Sequence, residues 1–356
     1  MPMPMPMPVP TSLRSVLVGL AAGLAAATCL TAAGPAVAQP RGGACSPAVS
    51  VQRFSDALDK TTYEGTFVGN FSALAVDRDG AIAALSDRSA LFTLDPTTLR
   101  PRSVVPLTDE SGAALDSEGL VVDRDGSRLV TSETEPSVRR YGRDGTLLGR
   151  LPVPDALRVA PAGRATANQT FEALTLLPGG RTLLAGMEGA LAGDTPGLVR
   201  LQTWQRPGAR DFRLGHQYGY RTDSGLGLVE AAAVPDGRLL VLERGFTAGV
   251  GNTVRLYLAD LRHATDTSRV EALTGQDGVR LVRKTLLADL ADCPSLGATA
   301  KQPQPNPLLD NIEGMVVTGA TGATGATRGA LRVLLVSDDN QGATQTTRLY
   351  SLRVRL

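Results

Sequence analysis

Five stretches of the chain repeat one pattern, and that repetition constrains the fold more than any other feature. Phe71-Ser72-Ala73-Leu74-Ala75-Val76 runs into Asp77-Arg78-Asp79-Gly80, and Ser117-Glu118-Gly119-Leu120-Val121-Val122 into Asp123-Arg124-Asp125-Gly126. Phe171-Glu172-Ala173-Leu174-Thr175-Leu176 precedes Pro178-Gly179-Gly180, and Val229-Glu230-Ala231-Ala232-Ala233-Val234 precedes Pro235-Asp236-Gly237. Ile312-Glu313-Gly314-Met315-Val316-Val317 leads to Thr318-Gly319. Each stretch is a short apolar strand followed by a tight turn, with Asp-Gly or Gly-Gly supplying the positive φ of a hairpin. Further strands follow each turn, with no convincing amphipathic helix between them, so the chain reads as all-β. Taking Ser72, Glu118, Glu172, Glu230 and Glu313 as equivalent, the steps are 46, 54, 58 and 83 residues. The first three bracket a propeller blade plus its loops. A sandwich or barrel explains no repeat of this length, so we expect a β-propeller of about five to seven blades. The long last step leaves room for one further blade around Val279 to Leu287, and the stretch Phe54 to Val68 is expected to close the ring.

Residues 1–38 read as an address rather than a fold. Arg14 is the sole charge of a Pro-rich leader, an uncharged apolar run spans Val16 to Ala33, and Ala36-Val37-Ala38 is a small-residue cleavage pattern. A cleaved secretory signal peptide is expected, with an uncleaved anchor as the alternative. Residues 39–64 form an N-terminal segment, and 65–356 the propeller. The polar, low-complexity stretch 318–327 is expected to be a loop insertion at a hairpin turn. The mature chain holds two cysteines, Cys45 and Cys293. In an oxidising compartment these are most simply one disulfide, against two unpaired thiols.

Composition narrows the functions. Hydrophobic residues at 42% and charged residues at 20% exclude wholesale disorder. A formal net charge of +1 excludes a general polyanion binder, so no nucleic-acid partner is expected. Two histidines, His216 and His263, exclude chemistry built on several His ligands. No Gly-x-Ser-x-Gly, His-Glu-x-x-His, Cys-x-x-Cys or phosphate-loop motif is present.

The repeat puts acids in register. Four of five units begin with Glu: Glu118, Glu172, Glu230 and Glu313. First strands of propeller blades line the central channel, so these carboxylates should converge, repel and rise in pKa unless a divalent cation holds them. Oxygen-only ligands select Ca²⁺, with Mg²⁺ second. A second acidic register follows the second strand: Asp87, Glu133, Glu188, Glu243 and Asp338-Asp339. Arg88 and Arg244 stand beside two of these, and Asn168, Asn311 and Asn340 add neutral oxygens. The expected cation set is Glu118, Glu172, Glu230, Glu313, Asn168, Asn311, Asp338 and Asp339; the four glutamates are also the catalytic candidates. Arg88 and Arg244 are the substrate-binding candidates, suited to a phosphate or carboxylate. The plainer reading is that the repeated Glu accepts backbone N–H bonds at strand ends and serves architecture alone.

Asp116-Ser117-Glu118-Gly119-Leu120, the segment from Asn168 to Leu174, Asn311-Ile312-Glu313-Gly314-Met315 and Ser337-Asp338-Asp339-Asn340 resemble the phytase-like domain family, also called esterase-like activity of phytase. The resemblance runs from about Gly65 to Val354. It implies a secreted bacterial protein with a propeller-like fold that hydrolyses phosphoesters such as phytate with Ca²⁺. Propeller phytases carry a basic substrate face; here Lys60, Lys284 and Lys301 are the only lysines, so a smaller monoester or diester needs fewer cations than phytate. The leading expectation is a secreted Ca²⁺-dependent phosphoester hydrolase, monomeric and free of the membrane after signal cleavage. The alternatives are a Ca²⁺-dependent lactonase or carboxylester hydrolase and a non-catalytic extracellular binding module.

Overall fold

The computed structural model describes residues 43–208, 211–276, 278–321 and 329–356. Five four-stranded antiparallel sheets make a five-bladed propeller. Blade 1 consists of Phe71–Val76, Ile82–Ser86, Ala90–Leu94 and Pro101–Pro106. Blade 2 holds Ser117–Val122, Arg128–Ser132, Ser137–Tyr141 and Leu147–Arg150. Blade 3 holds Phe171–Leu176, Thr182–Met187, Leu198–Gln205 and Arg213–Arg221, and blade 4 Gly227–Ala233, Leu239–Thr247, Gly251–Asp260 and Arg283–Asp289. Blade 5 takes Ile312–Thr321, Ala330–Ser337 and Leu349–Arg355 from the C-terminal end, and Val49–Ser55 from the N-terminal end as its outer strand.

Three expectations change here. The residues proposed for a sixth blade, around Val279 to Leu287, are largely the outer strand of blade 4, which pairs with Gly251–Asp260. The 83-residue step is long because a loop precedes that strand and a second loop follows it, not because a blade is hidden. The closing strand also begins earlier than expected: Val49 pairs with Val354 and Ser55 with Leu349. Thr61–Tyr63 and Thr66–Val68 instead form a separate hairpin. The first strand of blade 5 runs on to Thr321, so residues 318–321 of the expected insertion are strand. Residues 322–327 lie outside the described residues, as does the signal-peptide segment 1–38.

The apolar side chains explain the stacking. Second strands such as Ile82–Ser86 and Arg128–Ser132 are buried at every position, because both faces of a blade's inner half meet a neighbour. One apolar cluster lies between each pair of adjacent blades; between blades 2 and 3 it contains Leu129, Val138, Phe171 and the fully buried Trp204. The Asp of the repeated turn links blades as well. Asp77 pairs with Arg128, and Asp123 holds Arg206 through contacts of 2.5 and 2.7 Å. Each bond ties one blade's first turn to a buried arginine of the next.

Cys45 and Cys293 form a disulfide. It joins the segment before the closing strand to the turn after blade 4, across 248 residues of sequence. Loop-closure entropy for so long a loop is worth about 5 kcal/mol. Cys293→Ser is therefore expected to lower the free energy of unfolding by that amount under non-reducing conditions, read from denaturant melts. A variant as stable as the parent would show that the ring closes without its staple.

Candidate active site

The repeat delivers acids to one mouth of the channel by a specific irregularity. In every blade the pairing of the first two strands skips near the second position of the first strand. The skip falls between Phe71 and Ala73, Ser117 and Leu120, Phe171 and Ala173, Leu228 and Glu230, and Ile312 and Gly314. A bulged residue leaves the ladder and re-aims its side chain. Ser72, Glu118, Glu172 and Glu313 occupy the bulge and line one central cavity of about 430 Å³. Small residues follow the bulge because first strands crowd there. A Cβ on Gly314 would stand 2.7 Å from Val336 Cγ1 and 3.2 Å from Ser72 O.

The second acidic register reaches the same mouth through a repeated backbone bond. The N–H groups of Asp87, Glu133, Glu188 and Asp338 donate to the carbonyls of Asn70, Asp116, Thr170 and Asn311 at 2.8–2.9 Å. Each acceptor immediately precedes its blade's first strand, so the two acids of a blade lie side by side. Asp87, Asp116, Glu118, Glu133, Glu172, Glu188, Glu313 and Asp338 all line the cavity, with Arg244 the lone Lys or Arg among its described lining residues.

Blade 4 breaks the pattern, and here the sequence reading is corrected. Its bulged residue is Val229, so Glu230 lies one position further along. Glu230 does not line the cavity. It is buried beneath it, accepting backbone N–H bonds from Ala231 at 2.8 Å and from Leu174 and Met315. For this one glutamate the architectural alternative describes the placement. The same slip moves Glu243 out: it pairs with Leu228 and binds Tyr220 Oη at 2.7 Å and Lys284 Nζ at 2.5 Å. Arg244 takes the place in the second register. Asp339 also points away from the cavity, accepting the Asn70 N–H at 3.0 Å and pairing with Lys60. Arg88 is exposed beside Asp87, 3.5 Å from Nε to Oδ1, and is not among the cavity-lining residues. Asn168 and Asn340 line the mouth. Asn311 lies deeper and donates to Glu313 Oε1 at 2.9 Å. His216 pairs with Asp266 on the outer strand of blade 3.

Glu230→Ala strands three backbone N–H groups, and an unmet buried donor costs about 1–3 kcal/mol. We expect a lower melting temperature with any cation-dependent shift retained. Loss of that shift would return Glu230 to the site.

Electrostatics single out the remaining acids. Burial is the first cause of every rise. Asp87 is pushed up to about 7, with Asp338 adding repulsion and Arg88 opposing it. Glu133 rises to about 7, with Glu188 next in effect. Glu313 rises to about 8 although Arg244 pulls it down, and Asp338 to about 6. Glu118 and Glu172 are raised well above the ordinary carboxyl range by burial, and next by the charge of Glu313 on the first and of Glu118 on the second. Such a cluster is held either by protons or by a cation.

The donor set fits a hard cation. One carboxylate oxygen from each of Asp116, Glu118 and Glu133 lies within 4.8 Å of the others, and the same holds for Glu133, Glu172 and Glu188. The two triads share Glu133. An independent observation points to a ligand: Asn252 is 1% exposed and lines the cavity, yet neither its Oδ1 nor its Nδ2 has a partner among the described residues. Arg244 Nε is likewise buried and without a partner among the described residues, while its Nη2 donates to Glu313 Oε1 at 2.8 Å. Buried polar atoms are seldom left so without a bound group.

Residues 66–341 match the family described as phytase-like, esterase-like activity of phytase. The chain belongs to this phytase-like family. A stretch covering 23% of the phytase-like chain is 29% identical to an uncharacterized secreted protein of Arthroderma benhamiae, and spans about a fifth (21%) of that relative's length. Among solved structures, a gluconolactonase from Xanthomonas campestris is similar at 14% identity and TM-score 0.38, over 81% of this chain and 73% of that one. A glutaminyl cyclase from Myxococcus xanthus is similar at 12% identity and TM-score 0.42, over 86% and 97%. Neither likeness speaks to the reaction of the phytase-like chain. Among the described residues no helix is long and apolar enough to cross a membrane.

Proposed function

We propose that this chain is a secreted hydrolase of phosphoesters that works with Ca²⁺, or with Mg²⁺ in its place. The observation that carries the proposal is the pair of carboxylate triads sharing Glu133, set in a cavity whose lone lining cation among the described residues is Arg244. Asp116, Glu118, Glu133, Glu172 and Glu188 would hold the cation. When bound, such an ion supplies Lewis acidity toward a phosphoryl oxygen and acidifies water. Arg244 brings its unpartnered Nε to a phosphoryl oxygen, a charge-assisted bond that strengthens as negative charge develops. Glu313 Oε1 is engaged by Arg244 and Asn311, which leaves Oε2 to carry the proton that passes to the departing alcohol. Its pKa of about 8 suits a general acid near neutral pH. Secretion agrees with the disulfide and with the secreted fungal relative.

A single cationic side chain also admits a lactone or carboxylester, and inorganic phosphate separates the readings. Purified protein assayed on a panel of phosphomonoesters, phosphodiesters and lactones, with Ca²⁺ and then EDTA, is expected to turn over a phosphoester, to stop with chelator and to be inhibited by phosphate. Chelator-sensitive lactone turnover indifferent to phosphate would install the lactonase reading. A Ca²⁺-dependent melting shift without any turnover would leave a binding module.

A further inference from the structure

Blade 4 is the one blade that brings no acid to the cavity, and it is built differently above the cavity as well. The second strands of the other blades end at Ser86, Ser132, Met187 and Ser337, level with the start of their acids. In blade 4 the second strand runs past that level to Thr247 and pairs onward, Arg244 with Val254 and Phe246 with Asn252. The extension is pinned from behind. Asn252 N–H donates to Gln304 Oε1 at 2.8 Å, and a Cβ on Gly251, at φ +110°, would stand 2.5 Å from Pro303 O. It presents to the cavity a guanidinium with an unpartnered Nε, a buried amide with two unpartnered atoms, and the half-exposed ring of Phe246.

Arg244 and Phe246 also line a second groove, of about 610 Å³, that leads outward between blades 3 and 4. Its remaining lining is mostly small and uncharged. The other charged side chains there are Glu188 and Asp194, and Asp194 is already held by Arg200 at 2.6 and 2.8 Å. Among the described lining residues the groove therefore offers no cation for a second phosphate, while Phe246 offers an aromatic face 55% open to solvent. An apolar group laid on that ring gains burial and stacking.

We propose that the blade 4 extension is the substrate-recognition wall, and that the groove beyond Phe246 takes the uncharged, apolar or aromatic alcohol part of an ester bearing one phosphate. This rests on the phosphoester reading of the cavity. Arg244 and Asn252 grip the phosphate, and Phe246 selects what is attached to it.

Binding and turnover test it separately. Calorimetric titration of the Ca²⁺-loaded full chain with 1-naphthylphosphonate and with methylphosphonate, neither of which can be hydrolysed as an ester, is expected to give at least a tenfold preference for naphthyl. Phe246→Ala, at an exposed position, is expected to bring that ratio to near one. Asn252→Ala is expected to weaken both ligands. A parent ratio near one, a ratio unmoved by Phe246→Ala, no binding of either phosphonate, or tighter binding of inositol hexakisphosphate would each overturn the proposal. The expected ratio in a chain that cleaves no phosphoester would keep the wall and remove the hydrolase reading. Cleavage of naphthyl phosphate with a ratio near one would do the reverse.

Discussion

Glu133→Gln is expected to abolish the Ca²⁺-dependent rise in melting temperature and, with it, turnover. Glu133 is the one residue common to both triads, so its charge serves either position a cation could take. A carboxylate and a divalent cation about 4 Å apart attract by about 8 kcal/mol at the effective dielectric of such sites, and with part of that offset by desolvation the loss is expected to be at least about a thousandfold in affinity. Gln keeps the volume of Glu and an oxygen that can accept the Thr170 N–H, now bonded to Oε1 at 3.2 Å. The fold should therefore survive. Removing one of several repelling acids should even raise the melting temperature in EDTA, and that opposite sign separates a lost ligand from a damaged core. The measurement is a pair of melting curves, with EDTA and with Ca²⁺, for parent and variant, followed by the hydrolase assay. A Ca²⁺ shift equal to the parent's would place the cation elsewhere.

The propeller is legible in the sequence because blades bury both faces of their inner strands. The first strands read as short apolar runs broken near their start by Ser or Glu, four of the five end in Asp-Gly or Gly-Gly, and such runs recur at blade spacing. The blade count is less legible, since long loops on either side of Arg283–Asp289 imitate a missing blade. The site is legible where the bulge falls on an acid and misleading where it does not. Val229 and Glu230 offer two registers, and choosing the Glu yields four matching acids instead of three. The turn prolines resolve it: Phe171 precedes Pro178 by seven residues, as Leu228 precedes Pro235, so Val229 aligns with Glu172. The same shift exchanges Glu243 for Arg244, and turns a ring of acids into a ring with one cationic break. Asp116 is visible only as a neighbour of Glu118, since what brings its carboxylate into the triad is the bond from Glu133 N–H to its own carbonyl. Asn252 carries no sequence signal. Its place depends on a hairpin that continues in one blade alone, and no other repeat unit supplies an equivalent to compare.

Without cation the chain should lose stability as pH rises from about 5 to 8, and with Ca²⁺ it should not. The sign follows from the acids. Asp87 and Glu133 titrate near 7 in the folded chain, Glu313 near 8 and Asp338 near 6, all above ordinary carboxyl values. The folded state therefore holds more protons than the unfolded chain through this window. Stability from that difference is complete below about pH 4 and is lost as pH climbs through the folded values. The acids repel one another, so their separate contributions overlap; a combined loss on the order of 3–5 kcal/mol is a fair expectation, given that a tenfold change in acidity is about 1.4 kcal/mol. In a domain of this size that corresponds to roughly 10 °C of melting temperature. Ca²⁺ must displace those protons to bind, so its stabilisation starts small at pH 5 and grows with pH as fewer protons oppose it. The two melting-temperature profiles should lie close together at pH 5 and diverge steadily to pH 8, and calorimetric binding at pH 6.5 should release protons to the buffer. A flat profile in EDTA would mean that the cavity acids are ionised and solvated without a cation. The repulsion that makes them a cation site would then be absent, and the bulge in each first strand would be an architectural device alone.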